Sequence, residues 1–290
     1  MIQLQQVTKR YYMLTALNSV SLQVRAGEVL GVLGPNGAGK TTLFKLIAGI
    51  LQPDAGTIVA ANGVWPGMGY KPERLLYPNK MRVTEYLRLI AGLCNITGAD
   101  AERTIRRSLE QVNLLGAANK RIKDCSKGMR QRLGLAQALI GDPPLLLLDE
   151  PSNGLDPEGQ ADIQRHIRAL RDAGKTILLS SHQLHEVTAV CSHLIILNQG
   201  QIHYENSMEN ALAERPHATI RTTQDLTPLH PLMQSLHTDI ETHPMELILN
   251  NEAIRLRRQV MSILLSAGYD IVQVDQRRVT LAEIYAEAVQ

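Results

Sequence analysis

Residues suited to phosphate binding lie together at positions 34–42, which read Gly-Pro-Asn-Gly-Ala-Gly-Lys-Thr-Thr. A glycine, four residues, a second glycine, a lysine and a hydroxyl side chain form the spacing of a loop that wraps phosphates. The glycines let successive backbone N–H groups face one anion, and a helix that starts there adds positive partial charge. The sequence therefore predicts a nucleoside-triphosphate site. Its predicted binding residues are Gly34, Asn36, Gly37, Ala38, Gly39, Lys40, Thr41 and Thr42.

The residues on either side of this loop predict the elements that must position it. The apolar run at positions 29–33 predicts a buried strand, and the amphipathic run at 43–51 predicts a helix. A strand, a glycine-rich loop and a helix in this order are the context that the motif needs. Lys40 would reach the terminal phosphates, and the Thr41 hydroxyl would hold Mg²⁺. The alternative is a glycine-rich turn that matches by coincidence, and the flanking elements disfavour it.

Two acidic residues, Asp149 and Glu150, follow an apolar run at positions 145–148. The run predicts a short strand buried beside the strand of the phosphate loop, so Asp149 would support Mg²⁺ there. Glu150 is then placed to accept a proton from the water that attacks the terminal phosphate. The pair predicts an ATPase with ATP and Mg²⁺ as its cofactors.

Positions 126–132 read Ser-Lys-Gly-Met-Arg-Gln-Arg, at the start of a predicted helix between these two motifs. This order resembles the ATP-binding subunits of ABC transporters, whose signature segment occupies the same place. The resemblance covers about residues 1–212. Six elements carry it, in the expected order: Tyr11, residues 34–42, Glu73, residues 126–128, Asp149 with Glu150, and Asp156 followed by His182.

The resemblance implies that one copy of the chain holds only half of each nucleotide site. Ser126 and Gly128 of one copy would face the ATP held by residues 34–42 of another, and Asp156 would reach across the contact. A head-to-tail homodimer would complete two sites at once. The resemblance also implies an integral membrane permease as a partner, whereas low aromatic content and balanced charge predict no nucleic acid.

Further roles carry over residue by residue from the resemblance. Tyr11 would stack on the adenine, and Asp149, Thr41 and Glu73 would be the magnesium ligands. The implied catalytic residues are Glu150, His182 and Lys40.

Structural alternatives stay open for several of these residues. His182, implied to bond the γ-phosphate, could be a structural histidine at a strand end. Asp156 is also a sound helix N-cap, and both roles can hold. Tyr12 competes with Tyr11 for the adenine. Two pairs of potential metal ligands are disfavoured because each has too few neighbours: His182 with His185, and Cys191 with His193.

The sequence departs from the family pattern at four positions. Cys125 replaces the usual leucine, Lys127 the first glycine and Met129 the glutamine of the signature. We expect activity to survive, because the two residues nearest the phosphate are kept. Glu73 stands where the family has a magnesium-sensing glutamine. A carboxylate adds negative charge beside phosphates, so we predict that Glu73 mainly couples the site to the membrane partner.

Residues 69–73 and 126–139 look like the exporter-type branch of the family, which carries a C-terminal extension. Within it, residues 126–139 resemble the ATPase of the copper-processing transporter for nitrous-oxide reductase maturation, which suggests copper- or sulfur-related cargo. A drug or antibiotic exporter ATPase of the same branch is the alternative. A soluble, non-transport ABC ATPase is a further alternative, disfavoured because the chain has neither two ATPase halves nor a long coiled-coil insertion.

Composition excludes several classes of protein. Aromatic residues are only 3% of the chain, which disfavours nucleic-acid modules that stack bases. The 30 Lys and Arg residues nearly balance 28 Asp and Glu residues, so no global basic field would attract a polyanion. The 3 dispersed cysteines predict a reducing compartment. Without an apolar run of about 18 residues or a signal peptide, we expect a cytoplasmic protein. The permease that the resemblance implies would hold it peripherally on the cytoplasmic face of the inner membrane.

Strands alternating with helices predict an α/β fold on a largely parallel sheet. We predict an ABC-type nucleotide-binding domain at 1–215, with a P-loop ATPase core, an antiparallel β subdomain and a helical subdomain at about 72–140. A small α+β accessory or regulatory domain is predicted at 216–290. A helical segment around 75–78 with apolar side chains is predicted to dock the permease.

Overall fold

A computed structural model of the chain describes residues 1–212 and 215–289. These residues divide into two compact units, Met1–Met208 and Glu209–Ala288. The division lies a few residues before the boundary predicted at 215/216, and Gln290, the last residue of the predicted second domain, lies outside the described residues. No helix in the described ranges has the length and apolar character needed to cross a membrane.

The first unit combines two sheets with helices. Its strands are β1 (Ile2–Tyr11), β2 (Leu14–Val24), β3 (Val29–Leu33), β4 (Ala55–Ala60), β5 (Met68–Lys71), β6 (Leu145–Asp149), β7 (Thr176–Ser181), β8 (His193–Asn198) and β9 (Gln201–Ser207). Its helices are α1 (Lys40–Ile47), α2 (Val83–Leu93), α3 (Gly98–Gln111), α4 (Lys127–Ala138), α5 (Pro157–Asp172) and α6 (Leu184–Val190).

The central sheet has 6 strands in the order β5-β6-β7-β3-β8-β9. Neighbouring strands are parallel from β5 to β8, and β9 returns antiparallel to β8. Every residue of β3, β6 and β7 is buried, as expected for parallel strands that are covered on both faces. The predicted parallel α/β core is confirmed. Because β3, β6 and β7 run parallel, their carboxyl ends meet at one edge, where ligands bind in such sheets.

A second, antiparallel sheet of 3 strands has the order β2-β1-β4 and shares one apolar core with α1. Val7 and Leu17 from the sheet belong to the same buried cluster as Phe44 and Ile47 from the helix. The helix itself differs from the one predicted over 43–51. It begins at Lys40, directly after the glycine loop, and it ends at Ile47, before Gly49, which adopts a positive φ of 71°.

The predicted helical subdomain contains α2, α3 and α4, but residues 72–82 before α2 form no helix. The predicted helical segment around 75–78 is therefore wrong. Pro78 disfavours the helical conformation of the residue before it. The Tyr77 hydroxyl also donates a hydrogen bond to the main-chain oxygen of Arg130 at 2.8 Å, which holds this segment against α4.

The second unit follows the order strand, helix, two strands, helix, strand. After α7 (Met208–Leu212), its elements are β10 (Arg215–Thr222), α8 (His230–Leu236), β11 (Ile240–His243), β12 (Glu246–Asn250), α9 (Arg257–Ser266), β13 (Ile271–Val279) and α10 (Leu281–Val289).

The strands of the second unit form one antiparallel sheet in the order β11-β12-β10-β13. This is the split β-α-β arrangement of ferredoxin-like units. Its core contains Ile220 and Leu249 from the sheet and Val260 from α9. Residues Asn251–Leu256 form a 3-10 helix before α9 begins.

Candidate nucleotide-binding site

The loop between β3 and α1 has the backbone that its glycines predict. Gly37 and Gly39 adopt positive φ angles of 84° and 108°, which residues with a side chain rarely adopt. A Cβ atom on Gly34 would lie 2.1 Å from the main-chain oxygen of Leu197, so only glycine fits there. The loop is therefore shaped to turn its N–H groups toward one point at the start of α1.

Lys40 is buried beneath this loop, with 6% of its surface exposed. Its Nζ donates hydrogen bonds to the main-chain oxygens of Gly34 at 2.7 Å and Pro35 at 3.1 Å. The same atom lies 3.4 Å from Oε1 of Glu150. The ammonium group thus joins the loop to the predicted catalytic carboxylate.

Asp149 is fully buried and binds two hydroxyl groups. The Thr41 hydroxyl donates to its Oδ2 at 2.8 Å, and the Ser180 hydroxyl donates to its Oδ1 at 2.6 Å. Carboxylate and hydroxyl oxygens are hard donors of the kind that Mg²⁺ prefers. The oxygen atoms of Thr41 and Asp149 therefore fit Mg²⁺. Glu73 lines the same cavity as Thr41, and its Oε1 accepts a hydrogen bond from Asn153 Nδ2 at 3.3 Å.

Glu150 and His182 form a pair at the ends of β6 and β7. The Nδ1 atom of His182 lies 2.9 Å from Oε2 of Glu150, while Oε1 of Glu150 is buried without a hydrogen bond. Burial raises the pKa of the Glu150 carboxyl, and the charges of Lys40 and His182 oppose that rise. Glu150 also adopts a φ of 47°, a left-handed conformation that is uncommon for residues other than glycine. Such strain is concentrated at functional sites.

One cavity of about 530 Å³ gathers the predicted residues of the first half-site. Of the predicted site residues, it is lined by Tyr11, Asn36, Gly37, Ala38, Gly39, Lys40, Thr41, Thr42, Glu73, Glu150 and His182. The structure thereby brings together residues that lie far apart in the sequence.

The tyrosine at this cavity is Tyr11. Its side chain is 39% exposed and lines the cavity, whereas Tyr12 is fully exposed and does not line it. The Nζ atom of Lys9 lies 6.0 Å from the centre of the Tyr11 ring. Tyr11 is thus the better-placed aromatic ring for an adenine.

Ser126, Gly128 and Asp156 line a second cavity of about 550 Å³, which shares no lining residue with the first. Ser126 caps α4 by accepting a hydrogen bond from the backbone N–H of Met129 at 3.2 Å. Asp156 caps α5 by accepting one from Gly159 at 2.9 Å, so its predicted N-cap role is confirmed. Within one copy of the chain, the structure does not bring the signature segment to the phosphate loop.

The alternative metal-ligand pairs find other partners. His182 contacts Glu150, and Nε2 of His185 lies 3.4 Å from Oε1 of Gln160. Cys191 is buried against the backbone of β3, where a Cβ atom on Gly31 would lie 2.9 Å from its Sγ. Across residues 1–212 and 215–289, no group of three or more His, Cys, Asp or Glu side chains could hold a metal ion.

Three residues at the site were missed by the sequence analysis: Lys71, Asn153 and Ser180. Lys71 ends β5, is 1% exposed, and places its Nζ 3.5 Å from the main-chain oxygen of Asp149. Burial lowers the pKa of Lys71 to about 8, and the charges of Asp149, Glu186, Glu150 and Glu73 oppose that shift. The sequence feature that could have identified Lys71 is a lysine at the end of a short predicted strand.

Comparison with known proteins agrees with this geometry. The family model described as ABC transporter matches residues 17–153. The uncharacterized ABC transporter ATP-binding protein YxlF of Bacillus subtilis (strain 168) is 30% identical over 295 residues, covering 100% of this chain and 99% of that protein. The chain belongs to the ABC transporter family of ATP-binding proteins. It is an ABC-type ATPase with the α/β fold of the family.

Other relatives match only part of this ABC ATPase. An uncharacterized ABC transporter ATP-binding protein of Nostoc sp. is 40% identical over 69% of this chain and 62% of its own length. The Nod factor export ATP-binding protein I of Cupriavidus pinatubonensis is 36% identical over 69% of this chain and 64% of its own length. The aligned part thus spans less than two thirds of either relative.

Among solved structures, the chain is similar to MJ0796, a bacterial ABC transporter cassette described as dimeric. The TM-score is 0.65 at 25% identity, covering 72% of this chain and 99% of that one. An ATP-binding subunit of an ABC transporter superposes with a TM-score of 0.64 at 28% identity, covering 72% of this chain and 91% of that one.

Proposed function

We propose that this ABC ATPase hydrolyses ATP in a head-to-tail homodimer and thereby drives a separate integral membrane permease. The observation that carries the proposal is the separation of the two predicted half-sites into different cavities of one chain. A nucleotide in the first cavity meets the phosphate loop but not Ser126 or Gly128. A second copy related by twofold symmetry would supply both residues, and each copy would complete the other's site.

The residues of the first cavity divide the chemistry between them. The N–H groups of the loop and Lys40 would bind the phosphates, and Thr41 and Asp149 would hold Mg²⁺. When bound, Mg²⁺ neutralises charge that develops on the phosphates. Glu150 would take a proton from the attacking water, and its raised pKa moves it closer to neutral pH, which suits a general base.

His182 and Lys40 keep the Glu150 carboxylate in place before the nucleotide binds. Each lies against one of the two carboxylate oxygens. When a triphosphate enters, Lys40 would turn from Glu150 to the phosphates. The carboxylate oxygen that it leaves would then be free to accept the proton from water, so phosphate binding and base activation would occur together.

The signature segment would meet the same nucleotide from the second copy. Ser126 begins α4, so its hydroxyl lies at the positive end of a helix dipole that suits a γ-phosphate. Asp156, at the start of α5 in the same cavity, is placed to contact the other copy. ATP would hold the two copies together, and hydrolysis would release them.

Replacing Glu150 with Gln tests the proposal. The variant should bind ATP normally, lose hydrolysis by roughly 10²- to 10³-fold, and accumulate as an ATP-dependent dimer. Size-exclusion chromatography with light scattering, with ATP and with ADP, measures the dimer. Unchanged ATP turnover in the variant, or a monomer at saturating ATP, would contradict the proposal.

The membrane partner is proposed to dock beside residues 75–78. Leu76 is 97% exposed there, while a Cβ atom on Gly134 would come within 2.7 Å of the Leu75 side chain, so Leu75 packs against α4. A segment that Leu75 and Tyr77 hold against α4, with Leu76 exposed, suits contact with a permease loop. The protein would then act on the cytoplasmic face of the inner membrane.

A soluble role without a permease is the second candidate, because the motifs of an ABC ATPase do not by themselves require a membrane partner. Affinity purification from detergent-solubilised membranes separates the two candidates. Recovery of a protein with several membrane spans supports transport, and its absence supports the soluble candidate.

The branch and the cargo are also proposed. Export is supported by the likeness to the Nod factor export ATP-binding protein I over 69% of this chain. Copper- or sulfur-related cargo for nitrous-oxide reductase maturation rests on residues 126–139 alone, and a drug or antibiotic exporter remains the alternative. Deleting the gene and measuring nitrous-oxide reductase metal content against drug sensitivity distinguishes these cargoes.

The second unit is proposed to regulate or strengthen the dimer. It has its own apolar core, which includes Met233, Leu247 and Leu264. Deleting residues 209–290 should therefore leave the first unit folded while changing the affinity of the ATP-bound dimer. Equal dimer affinity with and without the second unit would exclude this role.

A further inference from the structure

Lys71 is a buried cation whose place in the fold is not explained by nucleotide binding. It ends β5 and pairs in register with Leu148 of β6, just before Asp149 and Glu150. Only 1% of the residue is exposed, and it does not line the nucleotide cavity. An ammonium group taken out of water is unfavourable unless neighbouring groups stabilise it. The groups that contact the Lys71 ammonium therefore indicate the role of this side chain.

The Nζ atom of Lys71 faces main-chain oxygens. It lies 3.5 Å from the oxygen of Pro72 and 3.5 Å from that of Asp149. The hydrogen bonds of the ammonium group therefore go to the backbone.

Both polar groups of the peptide that joins Asp149 to Glu150 form hydrogen bonds with side chains. Its carbonyl oxygen accepts from Lys71, and its N–H donates to the Ser180 hydroxyl at 2.9 Å. Beyond this peptide, Glu150 adopts its left-handed φ of 47°. Because a left-handed residue is strained, its neighbours must hold the conformation. The direction of the Glu150 side chain depends on the orientation of this one peptide.

The aliphatic part of Lys71 contacts the helix that begins at the signature segment. A Cβ atom added to Gly134 of α4 would lie 3.4 Å from Lys71 Cγ. Lys71 also lies two residues before Glu73 in the chain. Its side chain therefore touches α4 and the end of β6, and its backbone leads into the segment proposed to dock the permease.

We propose that Lys71 is a positioning residue: by holding the Asp149 carbonyl, its ammonium group keeps the Glu150 carboxylate aimed at the water that attacks ATP. The inference rests on the proposed function, in which Glu150 is the general base. Lys71 does not line the nucleotide cavity. It acts through the peptide between Asp149 and Glu150, opposite Ser180.

Steady-state ATP hydrolysis by Lys71→Met and Lys71→Arg tests the inference. Methionine keeps the aliphatic stem and removes the hydrogen-bond donor, so kcat should fall about tenfold or more while KM for ATP stays within about threefold. Arginine keeps a charged donor and should retain kcat within about fivefold of the wild type. A kcat for Lys71→Met within about twofold of the wild type, or a loss confined to KM, would overturn the inference.

A double-mutant cycle adds a readout that general loss of packing would not give. If Lys71 and Ser180 hold the same peptide, the losses in kcat for Lys71→Met and Ser180→Ala should not multiply in the double variant. Independent, fully multiplicative losses would overturn the inference. Thermal unfolding checks that each variant folds, and Lys71→Gln replaces Lys71→Met in both experiments if methionine prevents folding.

The Glu150→Gln background separates this inference from the proposed function. In that background, Lys71→Met should still form the ATP-dependent dimer, because Lys71 acts on the base and not on dimer closure. Loss of the dimer in the double variant, when Glu150→Gln alone forms it, would overturn the role of Lys71. If Glu150→Gln alone forms no dimer, the proposed function fails instead, and so does the inference that rests on it.

Discussion

Lys40 Nζ lies 3.4 Å from Glu150 Oε1. Both residues are buried, with 6% of the surface of Lys40 and 5% of that of Glu150 exposed. The contact joins the residue that would neutralise phosphate charge to the residue that would activate water. A buried cation beside a buried carboxylate stabilises the ionised form of both. Both residues are largely buried, so removing one partner leaves the charge of the other less well compensated.

Replacing Lys40 with Met should weaken ATP binding by about tenfold or more, because a charge-assisted contact with the phosphates is lost. It should also raise the pKa of Glu150 further, since the Lys40 charge opposes the effect of burial. Binding of a fluorescent ATP analogue measures the first effect. Lys45→Met, the same change on the same helix but outside the cavity, is the matched control and should bind nearly normally.

Glu73→Gln should leave ATP hydrolysis within about threefold of the wild type while reducing transport. Glutamine keeps an oxygen that can accept from Asn153, as Glu73 Oε1 does, so the local contact survives. What is lost is the negative charge at the start of the segment proposed to dock the permease. ATPase assays on the purified chain and transport assays with its permease in vesicles measure the two effects. Complete loss of hydrolysis would show that Glu73 acts in the chemistry itself.

Two substitutions at Ser126 should separate its cap from its proposed role at the partner's phosphate. Ser126→Ala removes the acceptor for the Met129 N–H and should lower the free energy of unfolding by about 1 kcal/mol. Ser126→Asp restores a good cap but places a negative charge toward the nucleotide. It should therefore fold as stably as the wild type and form no ATP-dependent dimer. Thermal unfolding and light scattering measure these outcomes, and a dimer formed by Ser126→Asp would contradict the half-site arrangement.

His166 on α5 should make the stability of the protein depend on pH. Burial lowers the pKa of His166 below its ordinary value of 6.5, while Asp162, 3.5 Å away, opposes the shift. As the pH falls below 6.5, the unfolded chain takes up a proton that the folded chain refuses. The contribution of His166 to the free energy of unfolding is therefore fully present above pH 6.5, and it declines as the pH falls toward the lowered folded-state pKa.

His166→Gln removes this proton uptake and should flatten the decline. Urea unfolding between about pH 8 and pH 5 measures it, with the value at about pH 8 giving the part that does not depend on pH. An equal decline in the wild type and the variant would assign the pH dependence to other groups.

Much of the first unit could be predicted because its signals are local. The apolar runs of β3, β6 and β7 are uninterrupted because both faces of these strands are buried. The role of Asp156 as a helix N-cap could be predicted because Pro157, directly after it, is typical of the first position of a helix. The prediction failed at residues 75–78, where apolar residues suggested a helix, because the segment instead packs along Gly134 of α4.

The residues missed at the site share a different property: their roles depend on neighbours far away in the chain. Ser180 pairs with Asp149 only because β6 and β7 lie side by side in register. Asn153 meets Glu73 across 80 positions of sequence. No spacing rule within a short window could identify these contacts.

The amino-acid sequence by itself determined the phosphate loop, the acidic pair and the order of the motifs that place the chain in its family. Those features depend on residue types at short spacing, where glycine backbone freedom and apolar periodicity act locally. Only the tertiary structure decided that Lys40, Glu150 and His182 meet at one sheet edge, that Lys71 is buried beside them, and that Ser126 lines a separate cavity. Parallel strand pairing brings together residues that are distant in sequence, and the resulting burial sets how strongly their charges interact.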